Sequence, residues 1–272
     1  MSNPLQKYFR QPSIYIPIDT SNWSDGTVEV DANGQVAVYP MTAKDELYSK
    51  TPDALMSGTS TVNIIKSCVP QIKDPWQIPA TDIDNILIAI RIASYGQEME
   101  FKSSCPQCEE EENYSLDLSV IMDSLPKADY TQALSVDNMV VYFKPITYKA
   151  QSDLAQHAYQ EQRILISINN ESLDENARKE EFTKLFQELV DLTEKGISAN
   201  IKKIEVDGVT VEEQAYIQEF IANCPKKLYE EIKNKIADLQ AQATVPPQDM
   251  RCPSCEHQYQ APLTFDPSTF FE

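Results

Sequence analysis

Two short cysteine pairs, Cys105-Pro106-Gln107-Cys108 and Cys252-Pro253-Ser254-Cys255, are the residues of this chain best suited to chemistry. One Cys-x-x-Cys unit offers two thiolates from a single tight turn, and two such units complete the four-sulfur tetrahedron that zinc prefers. The pairs share a frame. Proline follows the first cysteine, a glutamate (Glu109, Glu256) follows the second, and a tyrosine (Tyr114, Tyr259) stands downstream. Leu116 and Leu118 then alternate after the first pair, as Leu263 and Phe265 do after the second. The expectation is one structural zinc ion per chain, held by Cys105, Cys108, Cys252 and Cys255, with every coordination position filled by protein.

Other readings of the same residues stay open. The pairs could be unligated surface turns, or a redox dithiol. A redox pair belongs at a helix start after a strand, whereas the flanks here alternate as hairpins do. His257, two residues past Cys255, could replace one cysteine. Cys68 and Cys224 lie near prolines and read as small buried apolar residues. In a reducing compartment, paired Cys-x-x-Cys units suggest metal ligation before disulfides. The run Glu109-Glu110-Glu111-Glu112 reads as a solvated loop, or as a docking patch for a basic surface.

Between Cys108 and Cys252 lie 143 residues, against the roughly 15–20 of an ordinary ribbon. The fold class expected is therefore α+β: an N-terminal mixed domain, a split four-cysteine zinc ribbon completed by the C-terminal tail, and a mainly α-helical insertion. The domains expected are 1–145 with the first knuckle, 146–245 as the insertion, and 246–272 packing back on the first. Closing so long a loop is tolerable because its entropy grows only with the logarithm of its length.

The elements that would carry the knuckles follow from local pattern. Residues 13–18 alternate as an edge strand ending at a proline, with short strands at 28–30 and 36–39. Thr42 with Asp45 forms a capping-box pattern ahead of a helix over 43–49, and 60–69 offers another helix stopped by Pro70. Ile83, Ile86, Leu87 and Ile90 recur at helical spacing between Thr81 and Gly96, with Ile88, Ala89 and Ile92 on the remaining face. That helix should be buried nearly all round. Residues 139–143 read as a strand. Helices are expected over 147–167, 174–196, 211–223 and 226–242. In the second of these Leu185, Phe186, Leu189 and Leu192 form an apolar stripe. Thr210 with Glu213 suggests a capping box for the third, and Val206-Asp207-Gly208-Val209 a small hairpin turn.

Composition narrows the classes. Forty-two acidic against 23 basic side chains give a net charge of −19, which repels nucleic acid and anionic membranes and favours a basic or neutral protein partner. A ribbon that binds nucleic acid would carry basic residues around its knuckles, where this one has glutamates. No apolar run approaches the roughly 18 residues of a transmembrane helix, and the first residues lack the apolar core of a signal peptide. A cytoplasmic protein is the expectation. Two histidines, His157 and His257, leave little room for histidine chemistry. Nucleotide-loop, nucleophile-elbow and metalloprotease motifs are absent, so no enzyme is expected.

The N-terminal half is similar to a known family. Val38-Tyr39-Pro40-Met41-Thr42-Ala43-Lys44-Asp45-Glu46 and Thr51-Pro52-Asp53-Ala54-Leu55 resemble the baseplate hub assembly proteins of T-even-type contractile-tailed bacteriophages. So do Ile65-Lys66-Ser67-Cys68-Val69-Pro70 and Ile72-Lys73-Asp74-Pro75-Trp76. Leu87-Ile88-Ala89-Ile90-Arg91-Ile92-Ala93-Ser94-Tyr95-Gly96 and the first knuckle complete a likeness over about residues 10–120. It implies a non-enzymatic morphogenesis factor or chaperone that helps build the central hub of the tail baseplate, with hub or tail proteins as partners. It also implies action in the host bacterial cytoplasm during tail assembly. A permanent subunit of the virion baseplate is the alternative the same resemblance leaves open.

Overall fold

The computed structural model describes residues 4–50, 57–168, 175–262 and 270–271. The chain divides into two compact units, 1–127 with 243–272 and 128–242. The motif Thr51-Pro52-Asp53-Ala54-Leu55, the expected helix start at 174, and Leu263 and Phe265 lie outside the described residues.

In the first unit, β1 (Ile14–Pro17) pairs antiparallel with β2 (Gln35–Val38), Ile16 opposite Val36. Alternation turns Ile16, Val36 and Val38 inward, each at most 1% exposed. The turn before β2 is tied by Asp31, whose carboxylate accepts from the N–H groups of Asn33 and Gln35. Residues 28–30 form no strand. Val28 makes a single bridge to Ile72, because the Glu29 and Asp31 N–H groups bond Gln71 and Gln35 instead of a continuous ladder.

Helix α1 (Ala43–Ser49) opens as its sequence suggests, the Asp45 carboxylate accepting from the Thr42 N–H and hydroxyl at 2.8 Å each. α2 (Thr59–Cys68) and α3 (Ile83–Tyr95) form the core of this unit. Ile83, Ile86, Leu87, Ile88, Ala89 and Ile90 are all buried, so α3 is wrapped on nearly every side. Fully burying one such side chain is worth about 1.5–3 kcal/mol, which makes this helix the main apolar contribution to the unit. Asp82 precedes it and accepts from the Trp23 indole N–H at 2.7 Å rather than capping the helix. Gly96 ends it at φ 90°, ψ 176°, further from the helical region than the left-handed cap the sequence suggests and open only to glycine.

The chain then enters β3 (Glu98–Ser104), turns through the first cysteine pair and returns as β4 (Glu111–Asp117). The Asp117 side chain accepts from the Ser119 N–H and starts α4 (Leu118–Ser124).

The second unit is built on a four-stranded antiparallel sheet as well as on helices. β5 (Leu134–Val136) and β6 (Met139–Phe143) precede α5 (Tyr148–Ile168) and α6 (Glu175–Ala199). β7 (Ile201–Val206), β8 (Val209–Val211), α7 (Gln214–Asn223) and α8 (Lys226–Ala243) follow. The strand order is β5-β6-β7-β8. Pairing of β6 with β7 draws 134–143 into this unit, so its boundary falls at 127/128 rather than at 145. Val141, Phe143, Ile204, Ile217, Ile221, Ile232 and Leu239 pack as its core.

Asp207 and Gly208, at φ 52° and 79°, make the tight hairpin between β7 and β8. The capping box expected of Thr210 and Glu213 does not form. Thr210 is taken by the sheet, paired with Glu205, and α7 begins after Glu213 with no side-chain cap. Past α8, β9 (Gln248–Arg251) and β10 (Gln258–Ala261) form a last hairpin, turned by the second cysteine pair. The chain end is fastened to α3: Phe270 and Phe271 are each 4% exposed, and the Phe270 carbonyl accepts from Arg91 Nε at 3.0 Å.

Candidate metal centre

Both knuckles use one backbone scheme. The Cys105 N–H bonds the Glu110 carbonyl and the Glu109 N–H returns to the Cys105 carbonyl; the Cys252 N–H bonds the His257 carbonyl and the Glu256 N–H returns to Cys252. Reversing the chain so tightly forces the residue after each second cysteine into the left-handed region, Glu109 at φ 62° and Glu256 at φ 60°. The matching glutamates are therefore matching strained positions. Their run does not form a loop throughout: Glu111 and Glu112 already belong to β4, opposite Ser104 and Ser103.

The hairpins bring all four sequence-predicted thiols together. The sulfurs of Cys105, Cys108, Cys252 and Cys255 lie within 4.8 Å of one another. Cys105 to Cys255 and Cys108 to Cys252 each measure 3.7 Å. A tetrahedral shell with zinc–sulfur bonds near 2.3 Å needs sulfur–sulfur edges of about 3.8 Å. The donor set and its spacing thus fit a four-coordinate thiolate metal. Cys105 and Cys252 are buried, while Cys108 and Cys255 are half-buried at the rim.

The electrostatics are those of thiols sharing charge at close range. Desolvation pushes Cys105 up, but the N–H groups of Cys108 and Gln107 and the neighbouring thiols outweigh it and bring it down to about 7. The Glu110 N–H favours the Cys108 thiolate, yet desolvation and the thiols of Cys255, Cys252 and Cys105 together push it up to about 12. Cys255 is raised as well, with desolvation and the Cys105 and Cys252 thiols overcoming the His257 N–H. Four thiolates cannot gather unaided, and a dication is the natural counter-charge.

The other candidates fall elsewhere. His257 contributes backbone groups to the knuckle, while its ring stacks parallel to Tyr259 at 6.4 Å. Cys68 is fully buried at the end of α2, where burial and then the Asp45 carboxylate hold its thiol up to about 12 against Arg10. Cys224 is half-buried at the end of α7, its thiol directed to the Ile221 carbonyl at 3.6 Å. His157 is exposed on α5.

A polar seam between the hairpins is not foreseen by the motifs. Tyr259 accepts from the Ser103 hydroxyl at 3.0 Å and donates to Tyr114 at 3.2 Å; Tyr114 donates to the Arg251 carbonyl at 3.4 Å; Ser254 donates to Glu112 at 2.8 Å. Tyr114 stands six residues past Cys108 and Tyr259 four past Cys255, and a tyrosine downstream of each knuckle is the one signal of the seam that the sequence carries. Their hydroxyls meet because the two hairpins face each other.

A family model described as "T4 bacteriophage base plate protein" matches residues 24–272, nearly the whole chain and both cysteine pairs. The chain belongs to this T4 baseplate family. It is accordingly a phage baseplate protein, and membership implies association with other baseplate or tail proteins. The match continues through 128–242, beyond the N-terminal stretch that carries the sequence resemblance. No curated protein and no solved structure gives a significant match to the chain. Among the described residues no helix is long and apolar enough to cross a membrane.

Proposed function

We propose that this baseplate protein is an assembly factor for the hub of the phage tail, acting by protein–protein contact and catalysing no reaction, with one structural zinc. The family match over residues 24–272 carries the reading. The resemblance of the N-terminal half to hub assembly proteins gives it direction, and the convergence of four sulfurs within 4.8 Å supports the metal.

When bound, zinc would supply a fixed crosslink between the β3–β4 turn and the β9–β10 turn. Cys105, Cys108, Cys252 and Cys255 would hold it. The seam of Tyr114, Tyr259, Ser103 and Arg251 adds hydrogen bonds between the same two hairpins. In this reading the metal-stapled unit is a rigid base, and residues 128–242 cover a hub surface until its next partner arrives. The charge of −19 suits a factor that must stay dispersed and meet a basic or neutral protein surface.

A subunit that remains in the particle is the second reading, favoured by the family's description as a base plate protein. Mass spectrometry of purified virions separates the two. An assembly factor is absent from the finished particle and present in infected cells, whereas a subunit appears at a fixed ratio to other baseplate proteins. Infection with a phage lacking this gene should accumulate incomplete baseplates. Normal baseplates from that phage would overturn both readings.

A further inference from the structure

The second unit leaves an apolar groove open beside its core. Its volume is about 490 Å³, and Phe186, Leu189 and Val190 of α6 face Ile221 of α7 and Tyr229 of α8 across it. The C-terminal end of α6 is buried, Ile197 belonging to the core, but the same helix carries Phe186 at 61% and Leu189 at 46% exposure. Positions 186, 189, 190 and 193 all line the groove, the spacing of one continuous helix face. The side chain of Leu185, another member of the expected stripe, lies outside those described. Large exposed apolar side chains on an otherwise charged helix mark a contact surface rather than a fold requirement.

Charge around the groove selects the occupant. Glu194 on α6 and Glu230 on α8 line it, and Lys226 is the single cation among the described lining residues. Two neighbouring carboxylates pair with lysines of their own helices, Glu188 with Lys184 at 3.9 Å and Glu231 with Lys227 at 3.8 Å. Glu194 and Glu230 have no ion pair among the described residues. Both bear on one point: after burial itself, they are the chief influences raising the Tyr229 hydroxyl above its ordinary value. An apolar groove lined by these two carboxylates matches an amphipathic helix with apolar anchors at i, i+3 or i+4, and i+7 and a Lys or Arg at its flank. A second copy of this chain is disfavoured, because each copy carries −19 and would bring carboxylates against carboxylates.

We propose that this groove is the docking site for a basic-flanked amphipathic helix of another baseplate protein. The proposal rests on the baseplate reading and adds to it the surface, the secondary structure and the charge of the partner.

The test uses the full-length chain, wild type and two variants, Phe186→Glu/Leu189→Glu and Glu194→Lys/Glu230→Lys. Each is co-expressed in turn with every other baseplate and tail protein of the same phage and followed by affinity co-purification. All four positions line an open surface groove, so unchanged circular dichroism and melting are expected of both variants. A fluorescent peptide of about 18 residues with leucines at helical spacing and lysine flanks, beside a glutamate-flanked control, is titrated by anisotropy. The expected result is one partner bound by wild type and weakened at least about tenfold by either variant. The lysine-flanked peptide should be preferred by wild type, and the glutamate-flanked one by the charge-reversed variant. A partner that binds wild type and both variants equally overturns the groove and leaves the baseplate reading standing. No partner for wild type overturns the two together. A wild-type dimer in sedimentation that Phe186→Glu/Leu189→Glu dissolves assigns the groove to a second copy and overturns the partner helix.

Discussion

Replacing Cys252 and Cys255 by serine removes two thiols from the four-sulfur cluster and keeps the hairpin. The attachment of the tail hairpin then depends on contacts whose size can be worked out. Closing the loop between Cys108 and Cys252, with 143 residues between them, costs about (3/2)RT ln n, roughly 4 kcal/mol. Against it stand four polar contacts across the seam, from Tyr259 to Ser103 and Tyr114, from Tyr114 to Arg251 and from Ser254 to Glu112. At about 1 kcal/mol each they also total roughly 4 kcal/mol. The two sums cancel, so apart from the anchor of Phe270 and Phe271 on α3 the hairpin is held near balance by its own contacts. A structural zinc, worth about 10–16 kcal/mol in finger peptides, would decide the matter. The variant should therefore lose the single equivalent of zinc expected of wild type, as read by elemental mass spectrometry. Amide hydrogen exchange over 248–261 should accelerate at least about 100-fold, with 83–95 unchanged. Zinc retained at one equivalent would show that the ligands lie elsewhere. Zinc lost with 248–261 still protected would show that the seam suffices and that the metal is not what holds the tail.

Three further outcomes follow from single positions. Gly96 stands at φ 90° with open space where a Cβ would sit, no atom lying within 4 Å, so Gly96→Ala should cost about 1–3 kcal/mol through backbone strain alone, read from chemical denaturation. Ile232 is fully buried in the core of the second unit, and Ile232→Ala should lower the stability of that unit by about 2–5 kcal/mol in urea titration. The Asp82 carboxyl is held above its ordinary value because burial outweighs the hydrogen bonds from Trp23 and Thr81. A raised carboxyl favours the neutral form in the folded state, so its contribution is full below about pH 4 and is lost as pH rises through the folded value. Asp82→Asn, which keeps an acceptor for the indole, should raise the melting temperature at about pH 7 and lose that advantage by about pH 4. An equal gain at both values would refute the assignment.

Helix α3 is legible in the sequence because thirteen residues repeat isoleucine and leucine at helical spacing and stop at a glycine, a pattern with no competing element. The Thr42–Asp45 box is legible for the same reason, its partners being three residues apart. Thr210 and Glu213 show the same spacing and form no cap, because Thr210 gains more from pairing with Glu205 across a sheet whose other strands lie far away in sequence. That sheet is hard to read from local pattern. β5 has three residues, and β7, Ile201-Lys202-Lys203-Ile204-Glu205-Val206, breaks strict alternation where its register slips against Phe143.

The candidate metal-binding set was determined by the sequence itself, since two repeated Cys-Pro-x-Cys-Glu turns already specify the donor type and the local geometry of each half. Local backbone rules act over five or six residues, and a knuckle is no longer than that. The tertiary structure alone decided that the two halves face each other at tetrahedral spacing, that Tyr114 and Tyr259 close a seam beside them, and that 134–143 belong with 201–211. It also decided that the stripe on α6 runs from a buried end to an exposed one. These depend on long-range pairing and on which apolar surfaces find partners, and neither is encoded within any short window of the chain.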